Sequence, residues 1–239
     1  MLKVACVYRS GGDYNADYVR RLHAGVEEYL QRPHEFICLT DRSGEIEKMS
    51  GIKPCSLRRD WPGWWSKMEL FAMQPPILYF DLDTVICGDI GPVADVAGCL
   101  APNEFLMLRD FYRPCWCSAI MAWNTYMGWL FKEFCHLTRP GTRWQRKAIG
   151  YDLTALSENY RGDQDFISAA LKKKGTRVIL GQEVFAGIHS YKVDVLPKSN
   201  IPKHTKIICF HGLPRPHEVP PESVVYRAIH VSDARREDG

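Results

Sequence analysis

The sequence has no apolar stretch approaching the roughly 18 residues that a helical membrane span needs. It also lacks an internal repeat and a linker that would split it. The turn Ser10-Gly11-Gly12 after the first apolar run has neither the Gly-x-Gly-x-x-Gly of a dinucleotide fold nor the lysine of a P-loop, so neither phosphate cradle is available there. Charge of one sign is missing too: 31 basic and 28 acidic residues leave +3, weak support for a polyanionic partner. The nine cysteines are odd in number and irregularly spaced, which argues against a secreted disulfide scaffold, and Cys115-x-Cys117 has the wrong spacing for a zinc pair. They read as small core residues in a reducing compartment. Met1 to Tyr8 is too short and too polar for a signal peptide. A soluble cytoplasmic protein is expected.

What is present is an ordinary globular mixture, 46% apolar and 25% charged over 239 residues. A chain of this length buries about 70–75% of its unfolded surface, so no staples are required. Val4 to Tyr8, Phe36 to Leu39 and Ile77 to Phe80 are short apolar runs that read as buried strands. Between them, apolar positions from Tyr18 to Leu30 recur at helical spacing, and a helix is predicted from about Trp64 to Met73, stopped by Pro75-Pro76. Further strands are expected at Phe105 to Leu108, Ala119 to Trp123, Arg177 to Leu180 and Ile207 to Phe210, with helices over 126–137 and over Asp163 to Lys174, the latter ended by Gly175. Alternating strands and helices imply an α/β fold with a mostly parallel central sheet flanked by helices.

Chemistry concentrates at three places. Asp81-Leu82-Asp83 ends the most apolar strand, where open α/β sheets bind ligands, and alternate strand residues project to one side. Two carboxylates so placed suit Mg²⁺ or Mn²⁺, with phosphate oxygens completing the shell. The strand from Ile207 runs into His211-Gly212-Leu213-Pro214-Arg215. His211 could complete the coordination, Gly212 permits close backbone approach, and Arg215 could clamp a diphosphate. Gly162-Asp163-Gln164-Asp165 opens a helix, where acidic residues are already favoured by capping and the dipole, and one of them could hold a substrate hydroxyl.

This order of elements and motifs resembles a GT-A fold glycosyltransferase, nearest to the glycogenin and lipopolysaccharide galactosyltransferase-like family, family 8. The resemblance implies one GT-A domain over residues 1–220, with a nucleotide-binding half at 1–91, an acceptor half at 92–220, and a C-terminal extension at 221–239. It implies that Asp81 and Asp83, with His211, hold Mn²⁺ or Mg²⁺; that Val7, Tyr8, Arg9, Thr40, Asp41, Lys67, Leu82, Gly212 and Arg215 hold the nucleotide sugar, a UDP-sugar by that likeness; and that Asp163, Gln164 and Asp165 attend the transferred sugar. The family's terminal His-Phe-x-Gly-x-x-Lys-Pro stands here as Cys209 to Pro216, with cysteine at the histidine position and Arg215 at the lysine position; its acceptor-side Asn-Ser-Gly stands as Cys117-Ser118-Ala119.

The implied reaction is metal-assisted sugar transfer to a hydroxyl acceptor, a saccharide or a hydroxylated base in nucleic acid. Negative charge builds on the leaving diphosphate, and a cation with Lys67 and Arg215 would stabilise it. An inverting course would call on Asp163 or Asp165 as base. Two rivals stand beside this. Phe80 to Ile86 also resembles the first motif of haloacid dehalogenase-type phosphatases, with Asp163 and Asp165 as distal metal ligands. Alternatively, Arg139, Arg143, Trp144, Arg146 and Lys147, together with Lys172-Lys173-Lys174, could form a nucleic-acid-binding surface. Trp61, Trp64 and Trp65 read as packing residues or as an acceptor-side sugar contact.

Overall fold

The computed structural model describes residues 1–140 and 151–229. Arg143, Trp144, Arg146, Lys147 and the Arg235–Gly239 tail lie outside the described residues. Strand β1 (Leu2–Tyr8) has Val4, Ala5 and Cys6 wholly buried, which explains why it reads as a continuous rather than alternating apolar run. It is followed by the helix Ala16–Tyr29, whose Asn15 cap accepts the Asp17 N–H, and then by β2 (His34–Thr40) and β3 (Ile52–Ser56). The chain returns through Gly63–Ala72 to β4 (Ile77–Phe80), turns into β5 (Thr84–Ile86), and continues as helix Gly91–Cys99, β6 (Glu104–Arg109), β7 (Trp116–Trp123) and helix Gly128–Leu137. Helix Asp163–Lys174, β8 (Arg177–Leu180), β9 (Ile188–Ser190) and β10 (Ile207–Cys209) complete the principal elements.

Seven strands form one sheet in the order β3-β2-β1-β4-β7-β6-β8. All its ladders are parallel except those of β7, which runs against both β4 and β6. A second sheet, β5-β10-β9, stands beside it. The order reverses between β1 and β4: β2 and β3 build outward on one side of β1, and β4 on the other. At such a switch point the strand ends diverge and leave a crevice. Because β7 is antiparallel, its first residues lie beside the carboxyl end of β4, with the Asp81 N–H donating to Ala119 O at 2.8 Å.

Helices cover both faces. Ala16–Tyr29 and Gly91–Cys99 pack on one, burying Val19, Leu22, Val26, Val93 and Ala97 against β1, β4 and β6. The other face is rich in aromatics: Trp123 stacks on Phe105 at 5.4 Å, and Phe134 meets Trp61, Trp65 and Phe166. A third cluster under the small sheet takes in Ile208, Phe210, Val219, Val225 and Ile229. Among the described residues no helix is long and apolar enough to cross a membrane.

Two local expectations are corrected. The segment carrying Lys67 is wound as 3₁₀ turns, not as an α-helix, and Trp65 through Phe71 are all buried, so it has no solvent face to give it α-periodicity. Asp81 and Asp83 are not alternate residues of an extended strand: β4 ends at Phe80, and a turn closed by Thr84 N–H to Asp81 O at 3.0 Å leads into β5. The turn nevertheless leaves both carboxylates on the wall of the same cavity.

Entry to β9 depends on Gly187, which has φ of +98°, and a Cβ there would lie 2.5 Å from His204 O. Gly187→Ala is expected to cost about 2 kcal/mol through left-handed strain and the backbone clash. Chemical denaturation of the variant checks this, and an unchanged midpoint would contradict it.

Candidate functional site

A cavity of about 390 Å³ opens at the switch point, within the range of small-molecule sites. Its walls come from the ends of β1 (Val7, Arg9), the turn after β4 (Asp81, Leu82, Asp83), the start of β7 (Cys117, Ser118), the 3₁₀ segment (Trp64, Lys67), the N-terminus of helix Asp163–Lys174 (Asp163, Gln164) and the loop after β10 (His211, Gly212, Arg215).

Lys67 organises one half. The residue is only 5% exposed, and its ammonium lies 2.7 Å from Asp163 Oδ2 and 2.8 Å from Asp81 Oδ1 and donates to Ser118 Oγ at 3.2 Å. Burial alone would lower its pKa, but Asp163 and then Asp81 outweigh that and raise it. Ser118 Oγ donates to the same Asp163 oxygen at 2.6 Å, and the Tyr79 hydroxyl, two residues back along β4, donates to Asp81 Oδ1. One buried cation thus ties the Asp-x-Asp turn to the helix that begins 80 residues later.

Arg215 organises the other half. Its Nη1 lies 3.0 Å from Asp83 Oδ2 and its Nη2 2.8 Å from Asp13 Oδ2, while its guanidinium sits 4.8 Å over the Tyr14 ring. The Tyr14 hydroxyl donates to Asp83 Oδ2 at 2.8 Å. Burial and the neighbouring Asp81 charge push the Asp83 carboxyl up to about 6, against the pull of Tyr14, Arg215 and Lys67. His211 packs against Phe111 at 4.8 Å; burial lowers its pKa, and its Nε2 is buried without a hydrogen-bond partner. Gly212 adopts φ of +65°, which lets the loop turn past His211.

These donors bear on the metal expectation. Two carboxylates and a buried, unpartnered imidazole nitrogen around one cavity are a suitable oxygen and nitrogen set for Mn²⁺ or Mg²⁺. They are not drawn together in advance: among the described residues no three His, Cys, Asp or Glu side chains form a group that could hold a metal ion, and both Asp-x-Asp carboxylates are paired with protein cations. Cys209 is wholly buried in the core, its thiol pushed up by burial, whereas His211 reaches the cavity.

Other anticipated residues stand around this centre. Tyr8 and Thr40 end β1 and β2 but are not on the cavity wall; Tyr8 meets Glu45, and Thr40 Oγ1 accepts the Arg42 N–H. Asp41 accepts the Ser10 N–H at 2.9 Å and lies 3.7 Å from Arg9 Nη1, so it steadies the loop that presents Arg9. Gln164 donates to Asp110 at 3.3 Å from within the wall, while Asp165 turns to Arg161 at 3.1 Å and lies off it. Tyr14, Ser118, Asp13 and Tyr79 were not anticipated as site residues. Ser118 and Tyr79 stood in segments singled out on other grounds, and nothing local in the sequence marks Tyr14 as the partner of a residue 69 positions away. Cys117 lines the cavity with a thiol pushed up to about 12 by burial, unsuited to act as a nucleophile.

No family model matches the sequence, and no curated protein matches it. Solved structures do. The glycosyltransferase GlyE of Streptococcus pneumoniae TIGR4 superimposes with a TM-score of 0.63 at 11% identity, over 97% of this chain and 60% of GlyE. The galactosyltransferase LgtC in complex with donor and acceptor sugar analogs gives 0.58 at 10% identity, over 97% and 94% of the two chains. An active-site mutant of LgtC gives 0.60 at 10% identity, over 98% and 95%. This chain has the GT-A fold. It spans about 60% of the length of GlyE but nearly all of LgtC.

The GT-A neighbours do not favour the phosphatase alternative, and Asp165, which that reading needs as a distal ligand, is engaged by Arg161. Of the described residues of the basic surface, Arg139 is exposed, and the three lysines are engaged within the chain. Lys172 lies over Trp116 at 4.8 Å, Lys173 pairs with Glu133 at 2.8 Å, and Lys174 lies over Trp129 at 5.7 Å, all at the helix end where cations are favoured anyway.

Proposed function

We propose that the protein transfers a sugar from a nucleoside diphosphate sugar, a UDP-sugar by its likeness to family 8, to a hydroxyl-bearing acceptor. One observation carries the reading: the switch-point cavity of a GT-A fold gathers the Asp81-Leu82-Asp83 turn, Lys67, Arg215 and His211, whose Nε2 has no partner, around one space. Val7 and Arg9, the latter held by Asp41, would receive the base and ribose, with Tyr8 and Thr40 paired at the adjoining ends of β1 and β2. Leu82 and Gly212 leave backbone close to the diphosphate path.

Asp81, Asp83 and His211 would hold Mn²⁺ or Mg²⁺, which supplies Lewis-acid neutralisation of the leaving diphosphate. The chain's own residues do the rest. Arg215 offers a bidentate guanidinium that can pass from Asp83 to a diphosphate oxygen, so the charge it now balances is exchanged rather than exposed. Lys67 pairs with Asp163 and holds it beside Gln164, where the two can accept from and donate to sugar hydroxyls. A preorganised cation of this kind costs no reorganisation when charge develops on the leaving group. A cytoplasmic setting belongs to this reading, in keeping with nine cysteines that are odd in number and irregularly spaced.

Thermal-shift measurements with UDP, GDP and ADP, each with and without Mn²⁺, test the reading. One diphosphate at about a hundredfold excess over its Kd should add about 2.7 kcal/mol, and only with the cation present. No shift with any nucleotide would overturn the proposal.

A further inference from the structure

The sequence Trp61-Pro62-Gly63-Trp64-Trp65 places three tryptophans in five positions, and the structure separates them. Trp61 and Trp65 are buried against Phe134. Trp64 is 58% exposed and lies on the cavity wall. Gly63, at φ of +52°, sets the backbone between the buried and exposed rings. The indole nitrogen of Trp64 lies 3.6 Å from where a side chain on Gly162 would begin, so the ring stands against the turn that presents Asp163 and Gln164. A large exposed indole at the mouth of an otherwise charged site has no packing role to explain it.

We propose that Trp64 is the stacking platform for a pyranose ring of a saccharide acceptor, a reading that rests on the sugar-transfer function above. The C–H face of a pyranose is apolar and weakly positive and suits the negative face of an indole, while its hydroxyls point outward to polar partners. Trp64 adjoins the Asp163–Gln164 end of the cavity, and His211 and Arg215 line the wall of the diphosphate path, so a ring seated on it would stand next to the transferred sugar. A nucleic-acid acceptor would also stack but would need unpaired cations beside the ring for its phosphates. Arg9, on the cavity wall, is paired with Asp41 and Asp60, and Arg161, next to Gly162, with Asp165.

The test uses the full chain labelled with ¹⁵N, whose seven tryptophans give seven indole N–H signals, with Trp64→Phe assigning the one of interest. Lactose, maltose and cellobiose are titrated separately, beside UDP and a hydroxymethylcytosine oligonucleotide. At least one disaccharide is expected to shift the Trp64 signal. No shift with any of the three, or a shift with UDP or the oligonucleotide alone, would overturn the proposal. This readout needs no turnover, so absence of sugar transfer with a shifted Trp64 signal would count against the function and not against the platform. Where transfer is measured, Trp64→Ala should raise the acceptor KM about tenfold and Trp64→Phe less than about threefold. Equal effects of both variants on kcat with acceptor KM unmoved would also overturn it.

Discussion

Replacing Lys67 with methionine is expected to destabilise the protein by about 3–5 kcal/mol and to abolish sugar transfer. The cost does not come from losing a favourable salt bridge. Removing the one cation between Asp81 and Asp163 leaves carboxylates in a poorly solvated place with no counter-charge, and that is the expensive outcome. Asp163, with its side chain 11% exposed, carries most of the penalty; Asp81, at 29%, is partly relieved by water. The Ser118 hydroxyl stays on Asp163 but cannot neutralise it. Urea unfolding of Lys67→Met and of the double variant Lys67→Met/Asp163→Asn separates the causes. The double variant should recover most of the lost stability and none of the activity. A single variant that loses less than about 1 kcal/mol would show that the buried triad is solvated in ways the geometry does not provide.

The same triad shows where sequence reading succeeds and where it stops. Ile77 to Phe80 is buried on every side, so its apolar run announced a central strand, and position within the α/β alternation put a ligand site at its end. Lys67, Asp81 and Asp163 could each be picked out because each sits at a local landmark: a segment before a strand, a strand end, a helix start. That Lys67 binds both acids depends on β4, β7 and the helix Asp163–Lys174 meeting at one edge, which no local pattern encodes. β5 and β9 were missed for a related reason. At three residues each they are too short for periodicity and exist only because β10 pairs with both. Tyr14 and Asp13, in the loop after β1, became visible as partners of Asp83 and Arg215 only when the 3-stranded sheet brought the loop after β10 across to them.

Asp83→Asn is expected to make the ligand-free protein more stable while reducing turnover by about 10²–10³-fold. The two effects share one origin. In the folded chain, burial and the Asp81 charge raise the Asp83 carboxyl to about 6, well above its unfolded value. A raised carboxyl is penalised when ionised, so the cost is fully present above about pH 6 and is relieved as the folded state takes up a proton between pH 6 and about 4. The asparagine variant carries no such penalty. It should exceed the parent by about 2 kcal/mol at pH 7.5 and converge with it near pH 4. Tyr14 can still donate to the amide oxygen, so the turn keeps its shape, and Asp13 remains on Arg215. What is lost is the negative charge, the feature a divalent cation and a guanidinium in exchange would both require. Melting curves from pH 4 to 8, with and without UDP and Mn²⁺, measure both halves of the prediction. A variant less stable than the parent at pH 7.5 would mean that the Arg215 pairing outweighs burial. One that kept the nucleotide-dependent shift would remove Asp83 from the site.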